Sequence, residues 1–98
     1  MKEVLLNFEE FLDRRNSCSE RLPAHYSFQR EDRLPFTSIT FRLQFLEELT
    51  ERIIIFEKHI VVPSFEEENL KAFRDECMRD AEKAGATPGY FEDGVEAQ

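Results

Sequence analysis

Glycine is nearly missing from this chain. Three glycines occur in 98 residues, and none precedes Gly85. Loops that cradle nucleotide phosphates need glycine so that backbone can approach the ligand closely, which excludes P-loop and dinucleotide-binding turns from the first 84 residues. A tight two-residue hairpin would also lack its usual residue there. Tryptophan is absent, and the two cysteines, Cys18 and Cys77, stand far apart with no framework or zinc-ligand spacing. Both read as free thiols in a reducing, cytoplasmic compartment, with Cys77 buried. His25 and His59 are equally isolated, with no H-E-x-x-H or Glu-x-x-His pattern, so no metal and no cofactor is expected. His25 and Ser27 are close in sequence, a spacing too common to signal nucleophilic catalysis. No catalytic residue is assigned, and the chain is read as a non-enzyme. No run approaches the ~18 apolar residues of a membrane span. Glu3, Glu9 and Glu10 interrupt the apolar start in a way unlike a secretory signal.

Positive charge is also in short supply. Thirteen Lys and Arg face twenty-one Asp and Glu, a net charge of −8, which argues against a nucleic-acid partner. The imbalance is uneven. Residues 14–42 carry six arginines against three acids, whereas residues 62–98 carry four basic and ten acidic groups.

What the chain does have is apolar residues, 41% of the total, with ten phenylalanines. The stretch 37–61, TSITFRLQFLEELTERIIIFEKHIV, dominates. Leu46, Leu49, Ile53, Phe56 and Ile60 recur at steps of three and four, the spacing of one helix face. Ile39, Leu43, Phe45, Ile54 and Val61 widen that stripe, while Phe41 and Ile55 fall opposite. Read this way, the stretch is one rod of roughly 37 Å. A competing pattern is present. Ser38 to Phe45 alternates polar and apolar, and Ile53–Ile55 and Ile60–Val62 are β-branched, both strand signals. The helix is preferred because Glu47–Arg52 contains no turn residue and mostly good helix formers.

A first helix is expected over residues 2–15, with Leu6 off its apolar face. A connection, 16–36, follows. Pro63 ends the central helix, and Ser64 with Glu67 reads as a capping box opening a third helix from Phe65 to about Ala84. Leu70, Phe73, Cys77, Ala81 and Ala84 form its apolar face, and Gly85 supplies a left-handed stop. The short link predicts an antiparallel helical hairpin in which Phe56 meets Leu70, Ile53 meets Phe73 and Leu49 lies near Cys77. The fold expected is all-α, a small three-helix bundle over residues 1–85 with an acidic, flexible tail at 86–98. The alternative is α+β with a short antiparallel sheet.

Two charged residues, Arg42 and Glu57, fall inside the apolar stripe and must have partners or lie at an edge. The hairpin brings Glu57 level with Lys71 or Arg74, and Arg42 level with Glu82. The function expected is a non-catalytic protein–protein interaction module, self-associating as a homodimer through apolar helix surface or docking another protein. Leu6, Phe41, Ile55 and the tail aromatics Tyr90 and Phe91 are its candidate contacts. The alternative is an acidic inhibitor or nucleic-acid mimic presenting Glu66, Glu67, Glu68, Asp75, Glu76, Asp80 and Glu82 to a basic site.

Overall fold

Residues 37–61 do not form a rod. A computed structural model, which describes residues 2–17 and 23–89, folds the chain as β1 (Lys2–Leu5), α1 (Phe8–Asn16), β2 (Ala24–Arg33), β3 (Phe36–Glu47), β4 (Arg52–Pro63), α2 (Glu67–Lys83) and β5 (Thr87–Pro88). The expected three-helix bundle is therefore replaced by a five-stranded mixed sheet with two helices, the α+β alternative. The strand order is β1-β4-β3-β2-β5. β2, β3 and β4 form an antiparallel meander, while β1 adds parallel to β4 and β5 parallel to β2. β3 alone runs against the other four strands.

The physical reason lies at residues 48–51. This turn forms without glycine because Glu51 itself takes the left-handed conformation, φ 54°. Its amide donates to the Glu48 carbonyl at 3.2 Å, and Thr50 Oγ1 donates to Glu47 Oε1 at 2.5 Å. With the chain reversed, the period-2 pattern of β3 is satisfied. Thr37, Ile39, Phe41, Leu43 and Phe45 are buried on one face, while Ser38, Thr40, Arg42 and Gln44 lie on the other. Leu49, expected against Cys77, sits on the turn and is 97% exposed.

Both helices pack on the face that carries Phe41. α1 brings Phe8 to Phe56 and Phe11 edge-on to Phe45, with ring centroids 5.1 and 5.2 Å apart. α2 adds Leu70, Cys77 and Ala81 to the same cluster, and Arg74 lies 4.5 Å over the Phe28 ring. Each fully buried Phe, Ile or Leu contributes about 1.5–3 kcal/mol by leaving water. The expected apolar face of the last helix holds, with Phe73 partly buried, and Gly85 is the left-handed stop at φ 63°.

Its start differs from expectation. The N-cap of α2 is Glu66, which makes no side-chain cap bond, and the Ser64 hydroxyl instead meets Thr37 Oγ1 at 2.7 Å. The capping box belongs to α1. The Glu10 amide donates to Asn7 Oδ1 at 2.8 Å and the Asn7 amide donates to Glu10 Oε1 at 3.1 Å. The expected first helix, 2–15, thus begins only at Phe8, and residues 2–5 are a strand. At the other end, Thr87 and Pro88 pair with His25 and Tyr26, so the domain runs past Gly85 into the stretch read as tail.

Candidate functional site

With both helices on one side, the other face of the sheet carries no covering layer among the described residues. Cross-strand register places its side chains in rows. Glu3, Ile53 and Leu46 form the first row, and Leu5, Ile55, Gln44 and His25 the second. Glu57, Arg42 and Ser27 form the third, followed by His59, Thr40 and Gln29, then Val61, Ser38 and Glu31. Phe36 and Arg33 close the far end. The face is apolar at its two ends and polar in the middle. Leu5 is 67% exposed, Val61 55%, Phe36 48% and Leu46 38%, values that mark these side chains as surface and not as the margin of a core.

Arg42 and Glu57 meet at the centre of this face. They are directly opposed in the β3–β4 register. Arg42 Nε donates to Glu57 Oε2 at 2.7 Å, and Nη2 lies 2.6 Å from the same oxygen. The two charges singled out in the sequence are thus each other's partner. The pairings expected with Glu82, Lys71 or Arg74 belonged to a helical hairpin that does not form.

Two shallow depressions flank the pair. One, of about 360 Å³, is lined by His25, Tyr26, Ser27, Gln44, Pro88 and Gly89. The other, of about 380 Å³, is lined by Glu31, Arg33, Phe36, Ser38, His59 and Val61. The imidazoles bind threonine hydroxyls, His59 Nδ1 to Thr40 Oγ1 at 2.9 Å and His25 Nδ1 to Thr87 Oγ1 at 3.2 Å. No group of three His, Cys, Asp or Glu side chains suited to a metal ion occurs among the described residues.

The remaining charge clusters are structural in geometry. Lys58 points to the helix side, where its Nζ lies 2.6 Å from Glu76 Oε2 and 2.5 Å from the buried Asp80 Oδ2. Burial alone pulls the Lys58 ammonium down, but the two carboxylates outweigh it and hold its pKa above the ordinary value. Lys58 in turn holds Glu76 below the ordinary carboxylate range. Beside them the Cys77 thiol, fully buried, is pushed up to about 12 by desolvation, which makes it unreactive. At the end of β3, Arg14 grips Glu47 through two hydrogen bonds of 2.7 and 2.9 Å.

The candidate contacts separate once placed. Phe41 is 0% exposed at the heart of the core, so it offers a partner no surface; its outward position existed only on a helix. Leu6 packs against that core from its margin. Ile55 does lie on the uncovered face but is 1% exposed, flanked in its row by Leu5 and Gln44. Tyr90 and Phe91 lie outside the described residues. Leu46, Phe36 and Val61 lie outside the expected contacts, and the signal for them is the strand alternation that places them opposite Phe41; Leu5 joins them through the β1–β4 register. No helix among the described residues is long and apolar enough to cross a membrane. No protein-family model, curated protein or solved structure matches this chain.

Proposed function

We propose that this protein is a non-catalytic interaction module that works by self-association, and that the surface it uses is the uncovered face of the sheet. The carrying observation is the placement of both helices on one face while the other keeps Leu5, Leu46, Phe36 and Val61 at the surface. Apolar side chains scattered singly are ordinary, but here register gathers them at the two ends of one continuous face. A twelve-residue β3 at ~3.3 Å per residue and five strands at ~4.8 Å spacing give that face roughly 600–800 Å², allowing for the short outer strands. Stable interfaces bury roughly 600–1,000 Å² per partner, so the whole face against a second copy reaches the lower part of that range. The surface is of sheet, not helix. A cytoplasmic setting accords with the buried, unbridged Cys77. The acidic-mimic alternative is weakened because Lys58 engages two of its carboxylates, Glu76 and Asp80.

Sedimentation equilibrium of the purified full chain tests this reading. The expected mass is twice 11.7 kDa, falling to the single-chain value in a Leu46→Lys variant that keeps its circular dichroism. A wild-type chain that stays single at about 100 µM, a hundred times a typical micromolar constant, ends it.

A further inference from the structure

We infer that Arg42 and Glu57 are the specificity pair of this self-association, exchanging partners between two copies packed face to face. The inference rests on the self-association proposed above and deepens it. Its starting point is a half-used ion pair. Both contacts from Arg42 end on Glu57 Oε2, leaving Glu57 Oε1 and further guanidinium N–H groups without a partner among the described residues. The two side chains are 39% and 30% exposed at the centre of the face, so a second partner can reach both. A guanidinium presents five donors in a fixed fork and a carboxylate accepts at two oxygens, so each group has capacity for a second partner.

Symmetry supplies that partner. Two sheets packed face to face in the aligned mode keep their strands within about 30° of each other. A two-fold axis running along the strands, between β3 and β4, exchanges those strands between the copies. Arg42 then lies over Glu57 of the second copy, and Glu57 over Arg42 of the second copy. The same operation sets Leu46 over Ile53 of the second copy, because the two are register partners within one chain. Phe36 likewise falls over Pro63 of the second copy, so these two rows meet apolar on apolar, while Val61 and Leu5 fall over Ser38 and His25. An axis perpendicular to the strands through the same row sets arginine on arginine and glutamate on glutamate, which is repulsive. Charge pattern therefore selects one of the two arrangements and rejects neutral or like-charged partners.

The test is a charge exchange read by native mass spectrometry on full chains, one isotope-labelled, with circular dichroism confirming the fold of each. Arg42→Glu alone puts four carboxylates at the centre of a homodimer, and Glu57→Arg alone puts four guanidinium groups there. Each variant is expected to weaken its dimer at least ~30-fold, and an equimolar mixture to form the mixed dimer within a few-fold of wild-type affinity. The variant carrying both substitutions is expected to dimerise as wild type does. If either single variant loses its fold, Arg42→Gln replaces it, and the wild-type dimer but not the Gln variant is expected to weaken about tenfold between 0.05 and 0.5 M salt. A wild-type dimer whose single variants stay dimeric, fail to pair on mixing or share the wild-type salt response overturns the exchange and leaves self-association standing. A monomeric wild type overturns both.

Discussion

Arg14 on α1 and Glu47 at the end of β3, 33 residues apart, are joined by two parallel hydrogen bonds, Nε to Oε2 at 2.7 Å and Nη2 to Oε1 at 2.9 Å. With Thr50 also donating, the Arg14 bonds hold the Glu47 carboxyl at about 2, against an ordinary 4.5. A carboxylate depressed in the folded state contributes stability that is complete above its unfolded pKa and is lost as pH falls through the folded one. Wild-type stability should therefore fall between pH 4.5 and 2 with a component that Glu47→Gln lacks. At pH 7 that variant should be less stable by about 1–2 kcal/mol, measured by urea unfolding.

Glu51 occupies a left-handed position that costs a β-carbon roughly 1–2 kcal/mol. Replacing it with glycine removes that strain and adds back some unfolded-state entropy. Glu51→Gly should raise the urea midpoint, with a net gain of about 0.5–1 kcal/mol. Glu51→Val should lower it, since a β-branched residue tolerates the conformation worst.

Thr37, wholly buried at the far end of β3, donates to Asp32 Oδ1 at 2.6 Å and shares a 2.7 Å bond with the Ser64 hydroxyl. It ties the β2–β3 hairpin to the turn before α2, and its hydroxyl is the main reason that the Asp32 pKa is lowered. Thr37→Val should move the Asp32 titration upward in NMR and lower Tm by roughly 4–8 °C, the shift of about 1 kcal/mol in a domain this size. Thr37→Ser, which keeps the hydroxyl, should leave the Asp32 titration in place.

Lys58 and Asp80 test the cost of an orphaned buried charge. Asp80 is 12% exposed at its side chain and Lys58 26%. Lys58→Met should destabilise by roughly 2–3 kcal/mol, less than a fully buried pair because water still reaches the ammonium. The double variant Lys58→Met/Asp80→Leu should lie within about 1 kcal/mol of wild type, because no buried charge is left unpaired and Glu76, 54% exposed at its side chain, is solvated by water.

The sequence carries two matches of capping-box form, Asn7–Glu10 and Ser64–Glu67, and Pro63 as a break, and only the first match caps a helix. Ser64 could cap a helix or bond Thr37, and only the approach of β3, 27 residues away, settles which. The site was legible as two misplaced charges. Arg42 and Glu57 stood out because charge within an apolar pattern requires a partner, yet the partner's identity depended on chain reversal at Glu51. The exposed Leu46 and Val61 are invisible while residues 37–61 are wound as a helix, because a helix and a strand sort the same residues onto different faces; Leu5 lies in the expected first helix and Phe36 in the connection.

From residue chemistry alone came the last helix with its apolar face and glycine stop, and the need for Arg42 and Glu57 to be paired. The helix and its stop depend on bonds within a turn or two of chain, and the need for a partner on the cost of leaving a charge alone in an apolar pattern. Tertiary structure alone decided between rod and sheet. Leu46, Leu49, Ile53, Phe56 and Ile60 satisfy a period near 3.6, while Ile54, Phe56, Ile60 and Val62 line one face of β4 equally well. Backbone hydrogen bonds are local in a helix and long-range in a sheet, so the energy that separates the two appears only when β3 and β4 lie side by side.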